Sequence, residues 1–257
     1  CAGIVTIASR FVQRVHEVNV IGTKNITDLC SLNQVSKLVY VSSVHAIPEL
    51  AKGKIMSEIK DFSPDEVIGH YAKTKSEATN YVIGAAAAGL DANIVFPAGI
   101  SGPYDYGRGH LTTLIIDYYK GKLVVGTGGG YDFVDVRDVA NGIIACCEKG
   151  RPGEGYILSN RYYTVKEIMG MLCEITGKRR IKVFLPLRLV KLIAVPAELY
   201  YKLLKQTPLF TAYSIYTLNS NSLFSHAKAT RELDYQPRDL YLTLQDTVAW
   251  LLENNRL

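Results

Sequence analysis

Apolar residues recur at threes and fours from Phe11 through Val15, Val18, Ile21, Ile26 and Leu29, a spacing that predicts a helix over 11–33. The pattern then changes. Residues 37–43, Lys-Leu-Val-Tyr-Val-Ser-Ser, form a short apolar run rich in β-formers, as in a fully buried strand of a parallel sheet. Residues 44–68 are mixed and polar and read as a loop with room for one short helix. Residues 70–88 are rich in Ala, Lys and Glu and predict a helix that Gly89 ends. A second buried strand follows at 92–97, then a Gly/Pro loop at 99–109, a helix at 110–121 and a strand or hairpin at 122–135. A helix over 138–148 and a strand over 155–159 complete this part, and the opening Cys1–Val5 reads as the end of one more buried strand. Alternating strands and helices indicate an α/β fold with a parallel sheet. The remainder is mostly helical, with helices expected over 164–177, 186–205 and 239–254. The last carries Leu240, Leu244, Val248 and Leu251 on one face.

The chain has 257 residues, enough for one large domain or a domain plus a lobe. Its net charge of +5 is scattered rather than striped, which argues against a nucleic-acid partner. Lys178, Arg179 and Arg180 follow Gly177 and read as a solvated helix end. Five cysteines, an odd number with no CxxC pair, argue against a disulfide framework or a zinc site and favour a reducing, cytoplasmic setting. The segment 183–204 is strongly apolar, but Pro186, Arg188, Lys191, Pro196, Glu198 and Lys202 interrupt it, so no stable membrane span is expected. It reads as a helix packed over a substrate cleft, with weak association to a membrane surface as the second reading. Gly126–Gly130 precedes a strand rather than a helix, so it reads as a tight turn and not a phosphate cradle. Asp138 reads as the N-cap of the helix that follows.

Candidate chemistry gathers at the carboxyl ends of the predicted strands, where open α/β sheets bind ligands. Ser42 and Ser43 close the strand 37–43, Pro97 closes 92–97, and Tyr71 and Lys75 follow the loop after the first strand. Tyr71 and Lys75 stand four apart, on one helical face. A phenol titrates near 10, and an adjacent ammonium favours the phenolate and lowers that value. Such a pair can exchange a proton with an alcohol or ketone while a nicotinamide carries hydride. Lys73 is offset from this face and reads as solvated. The YxxxK pattern by itself is common.

The surroundings sharpen it. In order along nearly the whole chain stand Cys1-Ala2-Gly3, Asn19-Val-Ile-Gly22-Thr23-Lys-Asn25, the strand Lys37–Ser43, Tyr71–Ala78 (YAKTKSEA), Phe96-Pro97 to Gly102-Pro103, Asp132–Ala140 (DFVDVRDVA), Gly155–Asn160 and Leu233–Pro237. This series resembles the extended short-chain dehydrogenase/reductase family, also called the NAD-dependent epimerase/dehydratase family. Phe96 departs from the pattern, standing where the family usually has Arg. The resemblance implies a Rossmann-type doubly wound parallel sheet with a smaller, mostly helical substrate lobe. It makes 1–160 the nucleotide and catalytic domain and 161–257 mainly the lobe, with part of 99–135 contributing. It implies NAD or NADP as cofactor, a small-molecule substrate, and a homodimer formed through the helices corresponding to 11–33 and 70–88. Tyr71 would be the acid/base, Lys75 would hold the nicotinamide ribose and tune Tyr71, and Ser43 would orient the substrate oxygen. Asn19 would support a water or shape the helix near the site. Ala2, Gly3 and Ser42 would lie along the cofactor, and Pro97 and Ile100 would line the nicotinamide pocket.

The family's GxxGxxG stretch does not occur here, nor does the residue that selects NAD over NADP. The resemblance therefore has the chain enter the fold at the end of its fourth strand, short of roughly 70–80 residues, about one mononucleotide-binding half. On that reading the strand 37–43 pairs on one side only, and the fragment alone is poorly stable, weak in cofactor binding and inactive. Within the family the Phe-Pro-Ala-Gly segment and the long apolar C-terminal part resemble the dihydroflavonol-reductase-like and 3β-hydroxysteroid-dehydrogenase-like branch, which interconverts a secondary alcohol and a ketone. Two other readings stay open. One is a nucleotide-sugar epimerase or dehydratase, which would need cations such as Arg108, Arg161 and Arg188 for a diphosphate. The other is a non-catalytic cofactor sensor, which intact Ser43, Tyr71 and Lys75 disfavour.

Overall fold

A computed structural model describes residues 3–6, 10–107, 109–189 and 212–257. The chain divides into two compact units. The first comprises Cys1–Ala98, Asp138–Ser159 and Leu223–Gln236; the second comprises Gly99–Arg137, Asn160–Ser222 and Pro237–Leu257.

The first unit is built on a parallel sheet of β1 (Leu38–Val41), β2 (Ala92–Pro97) and β6 (Gly155–Leu158), in the order β1-β2-β6. Leu38 lies opposite Ala92, and Ile94 opposite Gly155. Every residue of β2 is buried, as its unbroken apolar run requires. β1 departs from the expectation of full burial. Its four residues are half-buried, because among the described residues it pairs with β2 alone. Residues 3–6 form no strand: the backbone of Ile4 bonds to a side chain, Asn19, instead of to a ladder.

The first helical stretch is not uniform. It runs as α1 (Gln13–His16), a π-helical segment (Glu17–Ile21) and α2 (Gly22–Leu32). Insertions of this kind are frequent at functional sites. The long helix α3 (His70–Ala87) opens after Gly69, whose φ of 97° only glycine adopts without strain. The loop between β1 and α3 is pinned along its length. Met56 donates to the Leu223 carbonyl and accepts from Ser225, and the Glu58 carboxylate accepts the Ile157 N–H at 2.9 Å. That last bond caps β6, which has no strand on its other side among the described residues. Asn80 brackets Phe62 by bonding both its N–H and its carbonyl. Phe62 in turn stacks on Phe96, with ring centroids 5.4 Å apart. The family's usual Arg position is thus filled by a buried aromatic pair. A Cβ at Gly155 would lie 2.5 Å from the Phe96 ring, so the same ring also requires glycine on β6.

The second unit contains β3 (Gly99–Ser101), β5 (Gly130–Asp135) and β7 (Tyr162–Thr164), with β3 and β5 parallel and β5 and β7 antiparallel. β4 (Gly126–Thr127) pairs with β8 (Phe184–Leu185), so 122–135 is not a hairpin: Gly128 and Gly129 turn the chain, and β4 and β5 go to different partners. Helices α4 (His110–Tyr119), α6 (Val165–Thr176) and α9 (Leu240–Glu253) supply the apolar core around Ile115, Leu172, Leu244 and Leu251. α6 opens with a capping box between Thr164 and Glu167 and ends at Gly177 in the left-handed region, close to its predicted limits.

The helix α5 (Val136–Lys149) starts two residues earlier than expected, which corrects the reading of Asp138. The capping carboxylate is Asp135, whose Oδ1 accepts the Arg137 N–H at 2.8 Å, and Asp138 sits within the first turn. Asp135 also binds the Arg137 guanidinium. Two shorter helices, α7 (Ala212–Asn219) and α8 (Ala227–Leu233), were not expected. The expected helix 186–205 lies mainly outside the described residues, as does the greater part of 183–204. Among the described residues no helix is long and apolar enough to cross a membrane.

Asp132 is fully buried in β5. One carboxyl oxygen accepts the Asn160 N–H at 2.8 Å, and the other has no partner among the described residues. Burial pushes this carboxyl up to about 7. Its folded pKa lies above the unfolded one, so the fold binds more protons and stability falls as pH rises from about 4 to about 7. We expect Asp132→Asn to match the parent at pH 4 and to exceed it at pH 8 by up to about 4 kcal/mol. Urea denaturation at the two pH values checks this.

Candidate active site

The site residues of the first unit are set by the end of β1 and the start of α3. Ser42 leaves β1 with its N–H bonded to the Val95 carbonyl, and its hydroxyl lies 2.7 Å from that of Thr79 on α3. Thr79 passes the bond on to the Lys75 carbonyl at 2.7 Å. Ser42 therefore fastens helix to strand. Ser43 turns the other way. It is the N-cap of a short 3₁₀ turn, Val44–Ala46, and its hydroxyl oxygen accepts the His45 N–H at 3.2 Å. With an acceptor position occupied, the Ser43 O–H is left to donate.

Tyr71 is the second residue of α3, so its phenol belongs to the first turn, where the helix dipole favours negative charge. Lys75 follows one turn later. Its Nζ donates to the Val41 carbonyl at 2.9 Å and lies 5.1 Å from the centre of the Tyr40 ring. Only 9% of Lys75 is exposed, and no carboxylate pairs with it among the described residues. Burial holds its ammonium well below the usual lysine range, at about 8. The same burial pushes the Tyr40 phenol up. A buried ammonium facing a carbonyl and an aromatic ring retains donors for neutral oxygens such as ribose hydroxyls. In this respect the residues present fit a nicotinamide nucleotide.

Asn19 lies in the π-helical segment and is 2% exposed. Its carboxamide accepts the Ile4 N–H and donates to the Ile4 carbonyl, each at 2.9 Å, and also reaches the Thr74 hydroxyl at 3.2 Å. These bonds clamp the chain near Gly3 to α3. Gly3 lies beside this clamp, where a Cβ would come 3.9 Å from the Asn19 oxygen. Pro97 is buried at the end of β2. Ile100 belongs to the second unit, on β3, with its side chain half exposed. Ala2 lies outside the described residues. Lys73 is solvated as expected and pairs with Asp65 at 3.6 Å.

Sequence reasoning did not single out His45. Its ring lies edge-on to that of Tyr71, with centroids 6.0 Å apart, and burial pushes its imidazole down to about 4. Its place two residues after Ser43, in the turn that Ser43 caps, was the available signal. Among the described residues no group of His, Cys, Asp and Glu could hold a metal ion.

Residues 1–159 match the family described as NAD dependent epimerase/dehydratase. "Sterol demethylase protein B" of Methylococcus capsulatus is 32% identical over 259 residues, covering 100% of this chain and 78% of that protein. A "putative dihydroflavonol 4-reductase" of Synechocystis is 26% identical over 260 residues, covering 97% of this chain and 76% of that protein. The crystal structure of gox2253 superposes with a TM-score of 0.81 at 27% identity, covering 99% of this chain and 78% of that one.

Lys75 binds fewer protons folded than unfolded between about 8 and its ordinary value near 10.4, so its burial penalty is full below that window and fades as pH rises through it. We expect Lys75→Met to stabilise the chain at pH 7 by about 1–3 kcal/mol, after allowing for the lost bond to Val41. The gain should vanish by about pH 11, which denaturant midpoints across that range will show.

Proposed function

The chain belongs to the NAD dependent epimerase/dehydratase family, and on that premise we propose that it interconverts a secondary alcohol and a ketone on a largely apolar substrate. The family and its relatives make it an NAD(P)-dependent enzyme. The observation that carries the proposal is the buried, carboxylate-free Lys75 ammonium one helical turn from Tyr71, at the strand end that Ser43 caps. Bound nicotinamide supplies the hydride acceptor or donor.

In this reading Tyr71 holds the proton that leaves or joins the substrate oxygen. The Lys75 charge and the first turn of α3 are both of the sign that favours its phenolate. The Ser43 hydroxyl donates to the same oxygen and fixes its position. Lys75 also holds ribose hydroxyls of the nucleotide. Asn19 positions α3 through Thr74 rather than touching the reacting atoms.

The names of two relatives, a sterol demethylase protein and a dihydroflavonol reductase, support an apolar substrate over a nucleotide sugar. Of the cations a diphosphate could use, Arg161 is paired with Glu167 at 3.2 Å and stacked on Tyr163.

The test is turnover of a 3β-hydroxysteroid with NAD⁺ and with NADP⁺ by the product of the whole reading frame that carries this chain, followed as nicotinamide absorbance. We expect Tyr71→Phe to lower kcat by about 10²–10⁴ while leaving nucleotide binding within a few-fold. Unchanged turnover in that variant would remove Tyr71 from the chemistry. Conversion of a UDP-sugar in place of the steroid would shift the assignment to the epimerase reading.

A further inference from the structure

Two features of the turn after β1 converge on the hydroxyls assigned to chemistry. The His45 N–H is spent on the Ser43 oxygen at 3.2 Å. The His45 ring stands edge-on to the Tyr71 ring, 6.0 Å between centroids and 74° between planes. The turn itself is rigid. Ala46 bonds back to the Ser43 carbonyl at 3.0 Å and Ile47 to that of Val44 at 3.1 Å, and Val44, Ala46 and Ile47 are all buried. His45 is the one residue among 43–47 that keeps part of its surface open. A rigid, well-packed turn thus presents a single ring at the side of Tyr71.

We propose that His45 is a positioning residue for Tyr71: its ring forms a wall that confines the phenol to the orientation in which Lys75 acts on it. The inference rests on the reading of Tyr71 as the proton-transfer group. A tyrosine in the first turn of a helix has two side-chain torsions to fix, and an edge-to-face neighbour restricts both. The ring works through shape and not through charge, since burial keeps the imidazole neutral above about pH 4. Lys75 is the cation one turn along α3 from Tyr71. Among the described residues, the titratable groups on the elements next to Tyr71 include Lys75 and His70 on α3, His45 in the turn, and Tyr40 on β1, which interacts with it electrostatically. Of these, His70 is turned away to the Val12 carbonyl at 3.2 Å.

The experiment titrates Tyr71 in the full chain by tyrosinate absorbance, as the difference between each protein and its Tyr71→Phe counterpart. The proteins are the parent, His45→Phe, His45→Leu and His45→Ala, each first checked for a cooperative thermal melt. A wall of shape predicts that Phe keeps the Tyr71 midpoint within a few tenths of a unit. Ala and Leu, which lose the ring edge, should raise it by about one unit, a tenfold change in the phenolate fraction. Leu fills the volume that Ala empties, so it carries the test if Ala does not fold. An unchanged midpoint in both Ala and Leu overturns the proposal. So does a shift in Phe as large as in Leu, which would assign the effect to an imidazole nitrogen. Tyr71→Phe turnover tests the catalytic reading separately. If that variant remains active the catalytic reading fails, whereas a failed wall shows only in the midpoints.

Discussion

The candidate site depends on one buried ammonium. Lys75 is removed from water without a carboxylate to offset its charge among the described residues, and its bond to Val41 is directed at the end of β1. That arrangement is unfavourable for the fold and useful for chemistry. A salt-bridged lysine would be committed to its partner, whereas one held against a carbonyl and the Tyr40 ring keeps its field and its remaining donors available. The neighbouring structure serves to hold this charge in place. Ser42 and Thr79 tie helix to strand, Asn19 fixes the other side of α3 through Thr74, and the glycine before His70 lets the helix begin where it does.

Much of this was legible in the sequence. The apolar runs at 37–43 and 92–97 indicated parallel strands and both are, although full burial holds only for 92–97. Helical spacing puts Tyr71 and Lys75 one turn apart, and it was the series of motifs around them, rather than that spacing, that singled them out. What escaped was set by tertiary partners. The half-burial of β1 is absent from its local pattern, though the expected one-sided pairing of 37–43 agrees with it. The division of 122–135 between two sheets depends on Phe184 packing against Gly126, far away in sequence. Asp135 and Asp138 are both acceptable caps by composition, and only the backbone path from β5 into α5 selects Asp135. Asn19 offered two readings, and its three bonds to Ile4 and Thr74 are invisible to any window around it. His45 went unnoticed because its place two residues after Ser43 is a weak signal until the fold brings its ring beside that of Tyr71.

The aromatic pair of Phe62 and Phe96 couples positions that lie far apart along the chain. The Phe96 ring occupies the space that a side chain on Gly155 would need, and Phe62 lies against that ring while Asn80 bonds both ends of the Phe62 peptide. A change of volume at any one of these residues is therefore felt by the others. The loop before α3 and the last strand of the sheet are thus fitted to each other through a single ring.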